Sequence, residues 1–196
     1  MKCVIIGHTS KLGADLFSYF KNTGWETIGL SRSTGHNVFE NYNEILQICN
    51  NTNLVIINTH NKQETLLQDL IGKVDKIIVS GSIMTDFIPL VETEYSQHKL
   101  DLKNRCKSLN FDPTVRTPIL YLGISNLKPK TNDFFEYEDP LSNQTILHAI
   151  SFWLDNPRVT NISFGVKITE HNANVLIHRF NLTKEKINKF IKTLLL

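Results

Sequence analysis

A three-layer α/β/α fold, one doubly wound parallel sheet with helices on both faces, is the class that two observations predict. Short apolar runs alternate with helix-like stretches through the first two-thirds of the 196 residues, and the runs are near-continuously hydrophobic. A strand that is apolar at almost every position is covered on both sides, the condition of a parallel sheet between two helix layers. Length and composition agree. A chain of this size suits a single domain, 1–196, with a core of its own, and 41% hydrophobic with 20% charged residues is an ordinary globular balance.

Each element has its own signal. Residues 3–6 read as the first strand, and the turn from Gly7 to Gly13 leads into a helix on which Leu12, Leu16, Phe17 and Phe20 recur at helical spacing. Residues 27–30 read as the second strand. Ile45, Leu46, Ile48 and Cys49 mark a looser helix, followed by a strand at 54–57, a short helix at 63–71 and a strand at 76–79. The helix expected at 95–109 turns Leu100, Leu102 and Cys106 inward, and 114–119 reads as the fifth strand. Residues 126–139 are polar and bounded by prolines, a loop over one end of the sheet. An amphipathic helix at 141–154 closes at Asn156-Pro157. Strands at 159–168 and 175–180 and a terminal helix carrying Ile187, Phe190 and Ile191 complete the chain. Residues 125–196 are thus expected to form a small C-terminal cap and the substrate side.

Several function classes are excluded at this stage. A net charge of +2 without a dense basic stripe argues against a nucleic-acid partner. No apolar run approaches the roughly 20 residues that cross a bilayer. Cys3, Cys49 and Cys106 are odd in number and far apart, which suggests neither a disulfide framework nor a metal site and fits the cytoplasm. His8, His60 and His98 fall near the expected site, but no carboxylate or cysteine spacing joins them into a metal set.

Two places carry chemistry. Gly7-His8-Thr9-Ser10-Lys11-Leu12-Gly13 joins the first strand to the first helix, where a dinucleotide pyrophosphate rests against backbone N–H groups. At the end of the second strand, Ser31-Arg32-Ser33 stands where an acidic residue would bind an adenosine ribose. A guanidinium and two hydroxyls suit a 2′-phosphate, so NADP(H) is expected over NAD(H). Further along, Tyr95 and Lys99 are one helical turn apart, and Ser82 lies thirteen residues before the tyrosine. An ammonium beside a phenol favours its ionised form, which makes Tyr95 a candidate acid towards a carbonyl oxygen.

Glycine turn, Ser-Arg and Ser…Tyr-x-x-x-Lys, in that order, resemble the short-chain dehydrogenase/reductase family over about residues 1–170. The stretch 54–60 resembles the family's Asn-Asn-Ala-Gly strand, and 77–82 its serine-bearing strand. The stretch 115–123 is similar to the Arg-Pro…Tyr-Gly segment of the extended branch, which includes nucleotide-sugar reductases and epimerases. The resemblance implies a Rossmann-like sheet and hydride transfer at a carbonyl or alcohol carbon. Ser82, Tyr95 and Lys99 would be catalytic, with Lys99 also holding the nicotinamide ribose. Gly7, Thr9, Ser10, Lys11, Leu12, Gly13, Ser31, Arg32 and Ser33 would bind the cofactor. Asn58 and Thr59 would line its groove, Asn37 and Val38 would touch adenine, and Pro118 and Ile119 would lie by the nicotinamide.

The chain departs from the family at Lys11, which replaces a loop glycine, and at Asn58-Thr59-His60-Asn61. It leaves no room for a helix between Arg32 and Asn37, and about three turns between Asn58 and Ile77. The family's dimer helix is therefore short, although a homo-oligomer remains compatible. The expected function is NADPH-dependent reduction of a small carbonyl substrate. The alternatives are a non-catalytic NADP(H)-binding sensor or scaffold, and a nucleotide-sugar reductase or epimerase.

Overall fold

The central strands are Lys2–Ile6 (β1), Leu54–Ile57 (β3) and Ile77–Ser80 (β4), flanked by Glu26–Leu30 (β2) on one side. Ile119–Gly123 (β5) and Asn161–Ser163 (β6) continue the sheet on the other. All pairings are parallel, in the order β2-β1-β3-β4-β5-β6, in a computed structural model that describes residues 1–82, 85, 94–123, 143–163, 183 and 185. The chain leaves β1 outward to β2 and returns past β1 to form β3. The strand order therefore reverses between β1 and β3, and their carboxyl ends open the crevice where ligands of such sheets bind.

Alternate strand residues feed two cores. Cys3, Ile5, Ile56, Ile78 and Leu120 pack on one face with helices α1 (Lys11–Asn22) and α5 (Asn143–Asp155). Val4, Ile6, Val55, Ile57 and Val79 pack on the other with α2 (Tyr42–Cys49), α3 (Gln63–Leu70) and α4 (Glu94–Phe111). This is the Rossmann-like α/β class expected from the apolar runs. Helix α5 is held by Trp153, which is fully buried and donates its indole N–H to the carbonyl of Val159 at 2.8 Å.

One strand differs from its expectation. Residues 114–119 read as β5, but the strand runs over Ile119–Gly123. Proline has no N–H for the ladder, so pairing begins after Pro118, whose carbonyl accepts from the N–H of Ile77. Thr117, β-branched and buried, instead closes the lower rim: its hydroxyl accepts from the N–H of Gly72 and donates to the carbonyl of Val74. Of the segments expected after α5, residues 161–163 form β6. The strand expected at 159–168 begins two residues late, since Val159 and Thr160 precede β6 as coil. Its residues 164–168 lie outside the described residues, as do the loop at 126–139, the strand at 175–180, and most of the terminal helix and of the cap assigned to 125–196. Among the described residues, no helix is long and apolar enough to cross a membrane.

Candidate active site

Gly7 ends β1 with a φ of 90°. A Cβ there would lie 2.3 Å from the carbonyl oxygen of Asn58, so both the backbone angle and the neighbour demand glycine. Gly13 is just as confined, since a Cβ would lie 2.3 Å from the carbonyl oxygen of Gly7. The loop is braced from β3. The Asn58 carboxamide donates to the Gly7 carbonyl at 3.2 Å and to Ser10 Oγ at 2.7 Å, while Ser10 Oγ caps α1 by accepting the N–H of Gly13 at 3.1 Å. Thr9, Ser10 and Lys11 are exposed, and Leu12 and Gly13 are buried beneath them. The N–H groups of Lys11 and Leu12 open α1, where no preceding turn can satisfy them. These groups, at the crevice mouth, fit a pyrophosphate.

Ser31-Arg32-Ser33 follows β2 as the start of a 3₁₀ turn. Ser31 Oγ lies 2.9 Å from Ser33 Oγ, and Thr34 Oγ1 accepts the N–H of Ser31. The hydroxyls stabilise the turn, and Arg32 projects from it exposed. Asn37 accepts the N–H of Phe39 through its side-chain oxygen, and Val38 packs into the core. The Asn37 side chain therefore serves the turn and the Val38 side chain the core. Thr59 is half-buried beyond β3, its hydroxyl accepting the N–H of Asn61 at 3.4 Å.

The same carboxyl edge carries the second cluster. On α4, Lys99 belongs to the buried stripe that includes Leu102, Cys106 and Leu109, so its ammonium is drawn against the sheet and is only 3% exposed. It donates to Gln63 Oε1. Gln63, 1% exposed at the start of α3, donates its amide to the carbonyls of Ser80 (2.8 Å) and Ile57 (3.3 Å) at the ends of β4 and β3. One carboxamide thus ties two strand ends to the lysine. Its acceptor is neutral, so nothing opposes desolvation, and burial lowers the Lys99 pKa to about 8. Lys99 Nζ lies 5.7 Å from the ring centroid of Tyr95, one turn earlier and 47% exposed. Ser82 follows β4 and is buried. Ser80 donates its hydroxyl to the Ile57 carbonyl at 3.2 Å and so is turned onto the sheet.

Pro118 and Ile119 do not belong to this group. Ile119 pairs with Ile77, the first residue of β4, whereas Ser80 pairs with Leu122. Both therefore sit at the amino edge of the sheet, about 10 Å or more from the crevice end of β5 at 3.3 Å per residue. The placement beside the nicotinamide is corrected accordingly: the crevice end of that strand is Gly123. Of the histidines, His8 packs its ring over Gly29 and against Phe17, while His60 and His98 are exposed. Among the described residues, no cluster of His, Cys, Asp and Glu could hold a metal.

Gln63 and Tyr121 are absent from the sequence-based assignment. Neither lies in a recognisable spacing with Lys99 or Ser82, and each meets its partner only across the fold.

No protein-family model matches the chain, and no curated protein matches its sequence. Solved structures do match in shape. UDP-N-acetylglucosamine 4-epimerase from Bacillus cereus superposes with a TM-score of 0.62 at 18% identity, over 93% of this chain and 86% of that one. The 3-alpha-hydroxysteroid dehydrogenase from Pseudomonas sp. B-0831, complexed with NADH, gives 0.60 at 14% identity, over 84% and 94%. BdcA in complex with NADPH gives 0.57 at 13% identity, over 87% and 96%. The fold is therefore that of the short-chain dehydrogenases/reductases, including their epimerase branch.

Proposed function

We propose that this protein is an NADPH-dependent reductase of a small carbonyl substrate. The observation that carries the reading is the buried Lys99, fixed by Gln63 beside Tyr95 at the carboxyl edge of the sheet. A lysine is costly to bury, and a neutral partner does little to offset that cost. Such an arrangement is a functional signature when it faces a cleft.

In this reading the bound nicotinamide nucleotide supplies the hydride. Tyr95 gives its phenolic proton to the carbonyl oxygen, and the charge of Lys99 favours the phenolate left behind. With a pKa of about 8, Lys99 is mostly protonated at neutral pH. Ser82 donates a hydrogen bond to the same oxygen and holds the developing charge. The α1 amino terminus with Gly7, Thr9, Ser10, Lys11, Leu12 and Gly13 takes the pyrophosphate, and Arg32 with Ser31 and Ser33 takes the 2′-phosphate. Residues 125–196 supply the substrate side of a single domain. The free thiols of Cys3, Cys49 and Cys106 support the cytoplasm as its compartment.

Two measurements test this. In fluorescence titration NADPH binds more tightly than NADH, and Arg32→Ala weakens NADPH about tenfold, the worth of one charge-assisted phosphate contact. Equal affinities in the wild type would remove the 2′-phosphate assignment. Across a panel of carbonyl substrates, Tyr95→Phe lowers kcat by about 10²-fold or more. Equal rates in the two proteins would leave a nucleotide-binding sensor as the better reading.

A further inference from the structure

Tyr121 lies in the middle of β5, fully buried, with its ring directly beneath the backbone of Gly81. A Cβ on Gly81 would stand 2.0 Å from Cζ of that ring, so the backbone following β4 is seated on the phenol. The hydroxyl reaches past it to the crevice end. It accepts the N–H of Ser82 at 3.0 Å, and lies 3.3 Å from the Ser82 carbonyl and 3.4 Å from the Lys99 carbonyl. Thr85 closes the turn by donating its hydroxyl to the Ser82 carbonyl at 3.0 Å. One side chain thus joins three parts of the site: the serine turn, the helix that carries Lys99, and the strand beneath both.

We infer that Tyr121 is a positioning residue, whose hydroxyl sets the Ser82 turn against the Tyr95–Lys99 helix. The inference rests on the reductase reading, which requires Ser82 and Tyr95 to reach one carbonyl oxygen. Two donors on separate elements converge on one atom only if the elements are fixed to within about 0.5 Å. Backbone hydrogen bonds of the sheet do not provide this, because Ser82 lies beyond β4 and α4 lies outside the sheet. Among the described residues the phenol supplies such a link from below, through backbone groups of Ser82 and Lys99. Burial pushes the Tyr121 pKa up to about 12, so the phenol keeps its proton for donation throughout the working range. Tyr121 itself does not touch the reacting atoms.

The experiment compares wild type, Tyr121→Phe, Ser82→Ala and the double variant. Phenylalanine keeps the ring under Gly81 and removes only the hydroxyl. The expected result is a kcat about 10- to 100-fold lower in Tyr121→Phe with NADPH affinity within about twofold of wild type. The double variant is expected to be no more than about twofold slower than Ser82→Ala, because the hydroxyl acts through the serine and the losses do not multiply. Undiminished turnover in Tyr121→Phe, or losses that multiply in the double variant, would overturn the inference. Amide hydrogen exchange supplies a readout that needs no turnover: the Ser82 N–H exchanges about tenfold faster or more in Tyr121→Phe while Val79 and Leu122 keep their protection. If the wild type proves inactive on every carbonyl tested, the reductase reading falls and exchange alone decides the anchor. Acceleration then sustains it, and unchanged Ser82 protection overturns it.

Discussion

Replacing Lys99 by methionine separates the cost of burying a charge from everything else in the site. The folded protein holds Lys99 at about 8 against its ordinary 10.5, because burial disfavours the ammonium. Between those two values the unfolded chain binds the proton and the native state releases it, so this group makes stability rise with pH. Below pH 8 both states are protonated, and the full penalty applies. Each pH unit across the gap is worth about 1.4 kcal/mol, which gives about 3 kcal/mol between pH 7 and pH 10.5. Methionine has nearly the same reach and no proton to lose. The assay is urea unfolding of both proteins at several pH values in that range, read as the stability difference, wild type minus Lys99→Met. The difference removes the opposing drift from Cys49 and Cys106, whose thiols burial pushes up to about 12, and from Cys3, raised for the same reason. The lost bond to Gln63 shifts the difference by a constant and leaves its slope untouched. The difference should climb by about 3 kcal/mol towards wild type as pH rises. A flat difference would refute the argument that Lys99 pays for its burial without a countercharge.

The remaining predictions concern the braces around the site. Gly81→Ala pushes a methyl into the Tyr121 ring, which is only 1% exposed, and should cost about 1–3 kcal/mol in urea unfolding. In a Tyr121→Leu background the same change should cost clearly less; an equal cost would mean that the ring is not the obstacle. Asn58→Ala removes both side-chain bonds to the glycine loop and should weaken NADPH about tenfold, with little loss of global stability. Unchanged affinity in titration would show that the loop keeps its shape without Asn58.

Legibility in the sequence followed the range of the interactions. The strands at 3–6 and 54–57 could be read because every residue in a doubly covered strand is apolar, a property written locally. Tyr95 and Lys99 could be paired because helical spacing brings residues four apart to one face. The glycine turn was legible because the step from an apolar run to a helix must pass through it. The fifth strand was misplaced because Thr114 to Thr117 has β-branched character that Thr117 spends on hydrogen bonds to Gly72 and Val74. Assigning Pro118 and Ile119 to the cofactor came from the resemblance alone, and the register of β5 on β4 runs against it.

By itself, then, the sequence determined the layered parallel architecture and the helical pairing of phenol with ammonium, since both depend on neighbours a few residues away. Only the tertiary structure decided what surrounds them. Gln63 meets Lys99 across 36 residues and Tyr121 meets Ser82 across 39, and no local pattern encodes either contact. Their positions depend on strand order and register, which place β3, β4 and β5 side by side beneath α3 and α4. A polar side chain buried there must find its partners across that junction, and the fold alone determines which partners it meets.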